Sequence, residues 1–124
     1  MFNRWSGKLK PEDLICTKFA AKLFALSIER KFKCIWLHVP NEFAGDKRPV
    51  WGMVQRTIGK MIGAPDYVFL WPKGCGCIEF KTPKGRLSDK QKAFKEWCED
   101  VGVPYVVVTS EEEGWLILKE WGLL

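Results

Sequence analysis

The sequence has no long uninterrupted apolar run. Its longest apolar stretch, Leu14 to Ile28, is broken by Lys18 and Lys22, so it does not supply the roughly 20 apolar residues that a membrane-spanning helix needs. Residues 1–10 are polar and basic with no apolar centre, unlike a secretory signal. Internal repeats, low-complexity tracts and a dividing linker are also lacking, and 124 residues suit one domain, expected over 1–124. The five cysteines are an odd number and, with no secretory segment, make a poor disulfide framework. Cys75-Gly-Cys77 has the wrong spacing for a zinc knuckle, and Cys16, Cys34 and Cys98 stand singly, which argues against structural zinc. The expectation is a cytoplasmic protein with reduced thiols.

What is present suits a packed domain. Hydrophobic residues make up 47% and charged residues 28%, with seven Trp, a composition unlike that of disordered chains. A chain of this length buries roughly two-thirds of its unfolded surface. Lys and Arg total 20 against 15 Asp and Glu, a net charge of +5. That balance fits a polyanionic partner such as nucleic acid, and equally fits a soluble protein without one.

Periodicity gives the element order. Pro11 opens a helix with the stripe Ile15, Phe19, Leu23 and Leu26. Cys34 to Val39 is a short apolar run stopped by Pro40 and reads as a buried strand. After a polar loop, Pro49 opens a second helix with the stripe Val50, Met53, Val54, Ile58, Met61 and Ile62, ended by Gly63. Tyr67 to Trp71 and Cys75 to Lys81 read as a hairpin turning at Pro72-Lys73-Gly74. Ser88-Asp89-Lys90-Gln91 is a capping box opening a helix with Phe94, Trp97, Cys98 and Val101. Tyr105 to Thr109 is a strand. Ser110 to Glu113 is a second capping box, opening a helix with Trp115, Leu118 and Trp121 that an internal Gly114 should weaken. The order α-β-α-β-β-α-β-α predicts an α/β mixed sheet flanked by helices on both faces, antiparallel in the middle and closed by a parallel crossover.

The chemistry lies in Gly63-Ala-Pro-Asp66 and Cys77-Ile-Glu-Phe-Lys81. Strand alternation puts Glu79 and Lys81 on one face and Ile78 and Phe80 on the other. Asp66 and Lys81 are about equally far from the turn, so Asp66, Glu79 and Lys81 should converge. Two carboxylates with a main-chain carbonyl form a hard oxygen site suited to Mg²⁺ or Mn²⁺. Such an ion acidifies bound water and stabilises charge on a phosphate, and a neighbouring lysine can orient that water. Glu12 falls on the inward stripe of the first helix, three, seven and eleven positions before Ile15, Phe19 and Leu23. Gln91 likewise falls on the apolar face of its helix, and a polar group turned inward needs a partner. Each residue also has a plainer reading. Glu79 and Lys81 can be a solvated pair, Asp66 a turn residue, Gln91 only a capping residue, and Glu12 a charge on the helix dipole.

The arrangement as a whole — helix Glu, P-D, hairpin, E-x-K, helix Gln — resembles the virus-type replication-repair nuclease (VRR-NUC) family of the PD-(D/E)xK nuclease superfamily. The matching stretches are P-E-D-L-I near Glu12, H-V-P-N-E at 38–42, G-A-P-D at 63–66, I-E-F-K-T-P-K-G-R-L-S-D-K-Q at 78–91, and V-G-V-P-Y-V-V-V-T-S after it. The resemblance implies a restriction-endonuclease-like fold, with a divalent metal on Asp66, Glu79 and the Phe80 main-chain carbonyl. It implies Lys81 as the catalytic lysine, Glu12 as the helix carboxylate and Gln91 as the helix glutamine. One departure is Cys16, where the family often has Gln. A chain without appended modules is similar to the stand-alone phage members, which resemble dimeric Holliday-junction resolvases.

Basic residues cluster at Lys31 and Lys33, Lys47 and Arg48, Arg56 and Lys60, and Lys84, Arg86, Lys90 and Lys92. Asn41, Lys47, Arg48, Lys84, Arg86 and Lys90 are the expected DNA contacts, with Asn41 at the start of a loop at the site edge. His38, the one histidine, is expected to be packed or hydrogen-bonded. Trp5, Trp51, Trp115, Trp121, Leu123 and Leu124 are more large apolar groups than a small core needs, and suggest an association patch. The leading expectation is a metal-dependent, structure-specific endodeoxyribonuclease acting as a homodimer on branched DNA. A sequence-reading or nicking nuclease of the same fold, and a non-catalytic nucleic-acid-binding module, are the alternatives.

Overall fold

The structure, a computed structural model, describes residues 10–40, 53, 59 and 61–124. The elements are α1 (Pro11–Ile28), β1 (Ile35–His38), β2 (Tyr67–Trp71), β3 (Gly74–Phe80), α2 (Asp89–Val101), β4 (Tyr105–Val108) and α3 (Glu111–Glu120). The strands form one mixed sheet in the order β1-β2-β3-β4. The first two pairings are antiparallel and β3–β4 is parallel. This is the α/β, restriction-endonuclease-like arrangement that the sequence predicts. The second expected helix, from Pro49, falls mostly outside the described residues, as do Trp5, Asn41, Lys47, Arg48, Trp51, Arg56 and Lys60. No helix among the described residues is long and apolar enough to cross a membrane.

Side-chain alternation divides the core between the two faces of the sheet. On one face Tyr67, Phe69, Ile78, Phe80 and Val108 pack with Phe19 and Leu23 of α1 and Leu118 of α3. Phe19 is the hub: its ring lies 5.3 Å from Tyr67, 4.9 Å from Phe80 and 4.9 Å from Trp115, between centroids. Tilted and edge-on contacts of this kind add to the burial of the rings themselves. On the other face Cys77 and Tyr105 pack with Cys98 of α2, with Phe94 and Leu87 around them.

Several local expectations are corrected. The first strand is shorter than Cys34 to Val39 and is not buried: Ile35 is 66% and Leu37 53% exposed. It is the edge strand, and on its Ile35 and Leu37 face no described helix covers it. The hairpin turns on Pro72 and Lys73 alone, with Trp71 opposite Gly74. The register therefore sets Asp66 against Glu79 and not against Lys81. On α2, Trp97 and Val101 face solvent, and only Cys98 is buried. Leu123 is buried and Trp115 and Trp121, half-buried, pack against the core, whereas Leu124 is exposed; Trp5 and Trp51 lie outside the described residues. At the start of α3, Ser110 accepts from Glu113 N–H, but the Glu113 carboxylate turns to Thr109.

Gly114 has a packing role that outweighs its poor helix propensity. A Cβ there would sit 2.8 Å from Cε1 of Phe19 and 3.2 Å from Cζ of Phe80. A bare helix backbone thus lets α3 lie directly on the aromatic hub. Gly114→Val should accordingly lower unfolding stability by about 1–3 kcal/mol, the usual cost of overpacking, despite improving local helix propensity. Urea denaturation of the two proteins measures this.

Candidate active site

The site forms at the end of the sheet where β2 begins and β3 finishes. Gly63 prepares it. Its φ is +88°, and a Cβ would collide with the Lys90 main chain. Only glycine lets the loop before Asp66 press against the first turn of α2. Asp66 then enters just ahead of β2, with its main chain locked to the edge strand: Val39 N–H donates to the Asp66 carbonyl at 2.8 Å.

Glu79 is the central group. It lies on β3 and is 2% exposed. Its Oε1 accepts from Asp66 N–H at 3.2 Å, and its Oε2 accepts from Gln91 Nε2 at 3.1 Å. The Lys81 ammonium is 3.3 Å from Glu79 Oε2 and 4.0 Å from Glu12 Oε2. Asp66 Oδ2 accepts from Phe80 N–H at 2.7 Å. A strand residue's N–H and C=O point the same way, so the Phe80 carbonyl also faces the Asp66 edge. Lys81 extends the parallel ladder, donating its N–H to the Val108 carbonyl at 2.9 Å.

All five residues named from sequence, Glu12, Asp66, Glu79, Lys81 and Gln91, are thus joined in one network. Gln91 does two things at once. Its Oε1 accepts from Ser88 N–H at 2.9 Å, completing the capping box, while its Nε2 holds Glu79. Glu12 is free to reach Lys81 because Asp13 performs the capping of α1, accepting from Lys10 N–H at 3.0 Å. Lys84, Arg86 and Lys90 are exposed on the loop and first turn that follow Lys81. Cys16 lines a cavity of about 260 Å³ with Asp13, Thr17, His38, Asp66 and Tyr67. Burial, followed by the Asp66 charge, pushes its thiol up to about 12, so Cys16 is not a nucleophile near neutral pH. All five cysteines are free. The sequence leaves His38 as a packed or hydrogen-bonded residue with a catalytic role as the alternative; its Nδ1 lies 2.8 Å from the Asp66 carbonyl.

The electrostatics are unbalanced. Burial, then the neighbouring Asp66, pushes the Glu79 carboxyl up to about 7, with Lys81 opposing. Burial also raises Asp66, against the pull of its bond from Phe80 N–H. Three carboxyl groups therefore share one ammonium. Hydrogen bonds leave acceptor capacity on both Asp66 and Glu79, since each carboxylate oxygen carries two lone pairs. An added cation suits such a cluster. Among the described residues no group of three or more His, Cys, Asp or Glu side chains is arranged to hold a metal. The set available is two carboxylates and a main-chain carbonyl.

The raised Glu79 carboxyl makes metal-free stability depend on pH. A group that binds protons more tightly when folded stabilises fully below its unfolded pKa, and that contribution is lost as pH rises through the folded value. Stability without divalent ions should fall between pH 4.5 and about 7, by on the order of 3 kcal/mol at about 1.4 kcal/mol per unit. Glu79→Gln should flatten that slope. Thermal melts from pH 4 to 8 in a chelator test both.

Residues 43–112 match the family model described as the VRR-NUC domain. That range holds Asp66, Glu79, Lys81 and Gln91, and leaves out Glu12 and His38. No curated protein and no solved structure matches the chain. With more than half of its length matched and the P-D and E-x-K residues gathered at one sheet end, the chain belongs to the VRR-NUC family, nucleases of the PD-(D/E)xK type.

Proposed function

We propose that this nuclease is a single-domain, divalent-metal-dependent DNA endonuclease, and that its substrate is branched DNA, a four-way (Holliday) junction resolved by a homodimer. The observation that carries the catalytic reading is the buried Glu79 carboxylate, shared by Asp66, Gln91 and Lys81 at the open end of the hairpin. A structural salt bridge has no need of a second, unneutralised carboxylate at the same place, and burying one is costly.

Nucleases of this type use divalent ions, and Asp66, Glu79 and the Phe80 carbonyl would hold Mg²⁺ or Mn²⁺ here. A divalent ion at such a site supplies an acidified water and a counter-charge for the phosphate. Hydrolysis then joins a water oxygen to phosphorus and releases one ester oxygen. Lys81 would orient the attacking water and offset the charge developing on the phosphoryl oxygens. Glu12 and Glu79 fix the lysine between them, and Gln91 holds Glu79 in place. Lys84, Arg86 and Lys90 lie where a phosphate backbone passing the site would run, with Asn41, Lys47 and Arg48 as further contacts. The dimer rests on symmetry: a junction has two strands to cut, the described residues of one chain form one such site, and a two-fold pair presents two.

The direct test is cleavage of four-way junctions, flaps, nicked duplex and single strands in Mg²⁺ or Mn²⁺, with particle mass followed by sedimentation. Junctions should be cut fastest, by a particle of twice the chain mass. Asp66→Ala, Glu79→Ala and Lys81→Ala should each lose on the order of 10²–10³-fold or more in rate while staying folded. Wild-type turnover by Lys81→Ala would sink the assignment. Preferred cutting of flaps by a single chain would overturn the resolvase reading and leave the nuclease reading standing.

Binding of the DNA is tested separately. Lys84→Ala with Arg86→Ala should weaken binding alike on all sequences. The slope of log affinity against log salt should fall by about 2. An unchanged slope would place the DNA elsewhere on the protein.

A further inference from the structure

We infer that His38 is a positioning residue for the metal-binding carboxylate Asp66, acting through the Asp66 main-chain carbonyl; this rests on the metal-dependent nuclease reading above. His38 is the last residue of β1 and pairs with Tyr67 in the ladder. The imidazole packs 5.0 Å from the Tyr67 ring and lines one cavity with Asp66 and Tyr67. It reaches the Asp66 carbonyl, with Nδ1 to O at 2.8 Å. A carbonyl oxygen can only accept, so Nδ1 carries the hydrogen.

That bond is additional to what the sheet requires. The antiparallel ladder already supplies a donor to the same oxygen, Val39 N–H at 2.8 Å. Asp66 sits just ahead of β2, where regular pairing ends, and its charge is crowded against Glu79. Four bonds hold it there: its N–H to Glu79, its Oδ2 from Phe80, and its carbonyl from both Val39 and His38. The His38 ring packs against Tyr67, which is buried and whose hydroxyl donates to the Cys16 carbonyl of α1 at 3.3 Å. The chain α1–Tyr67–His38–Asp66 thus anchors the carboxylate's backbone to the aromatic core. Ligands fixed before the ion arrives need no reordering when it binds, and losing such outer support typically costs about 10–100-fold in metal affinity.

The substitutions follow from the geometry. The side-chain amide nitrogen of Asn falls near the position of Nδ1, whereas that of Gln falls near Nε2. His38→Asn keeps the donor to Asp66, and His38→Ala and His38→Gln lose it. Mn²⁺ binding by calorimetry, without DNA, should weaken about 10-fold in His38→Ala and His38→Gln. His38→Asn, which keeps the donor, should bind within about twofold of wild type, at or below the smallest effect expected for a lost hydrogen bond. Melting temperatures of the Gln and Asn variants should agree, so His38→Gln carries the test even where His38→Ala fails to fold. Equal weakening in Asn and Gln, or wild-type affinity in Gln, would overturn the positioning role. Absence of Mn²⁺ binding by the wild type, with Asp66→Ala alike, would overturn the metal reading beneath it.

Discussion

The structure depends on one costly group, a carboxylate at 2% exposure near the end of an interior strand. Water cannot solvate it there, so protein groups must. Glu79 draws one partner from each of three places: the Asp66 main chain before β2, the Gln91 amide on α2, and the Lys81 ammonium on its own strand. These demands hold the hairpin start, the hairpin end and the first turn of α2 together. Gly63 exists in that arrangement because the loop must lie on the Lys90 main chain. The contacts that make the fold close here are the same contacts that make a site, and they leave more acid than base.

The E-x-K alternation was legible because it needs only the period of a strand. Ile78 and Phe80 do enter the core while Glu79 turns the other way. The pairing of the hairpin was less legible. Pro-Lys-Gly reads as a three-residue turn, but Gly74 joins the ladder opposite Trp71, and one residue's difference moves Asp66 from Lys81 to Glu79. Convergence survived, because both partners lie at the same end of β3. The first strand was misjudged for a different reason. An apolar run shows what can be buried and not whether a neighbouring element covers it, and β1 stands at the sheet edge with Ile35 and Leu37 exposed.

Where the residues offered two readings, the structure did not always choose one. Gln91 both completes its capping box and holds Glu79, using the two ends of one amide. At α1 the roles are divided between neighbours, Asp13 capping and Glu12 facing Lys81. Local sequence patterns treat capping and catalysis as rivals, yet an amide has a donor end and an acceptor end and can serve both. His38 was expected to be packed or hydrogen-bonded, and it is hydrogen-bonded, but from an exposed edge and to a residue of the site. Only the register between β1 and β2 makes that pairing visible, and nothing in a single sequence fixes it. The C-terminal aromatics were similarly ambiguous. A tryptophan that caps a small core and one that waits for a partner have the same composition, and Trp115 and Trp121 prove to be the former.

Alternation along β3 also explains how the site can be rigid on so short a chain. Each backbone bond that presents Glu79 or Lys81 is shared with Ile78 or Phe80, which are wholly buried on the other face. Phe80 lies 4.9 Å from Phe19 and 5.9 Å from Tyr67 between ring centroids. Displacing the lysine along the strand would have to drag those rings through a close-packed core, where even small volume changes are resisted. The aromatic face therefore fixes the Glu79 and Lys81 face through the strand between them. Glu79 and Lys81 are thus charged groups whose places the core has already set, and charges fixed in that way need no reorganisation before they act.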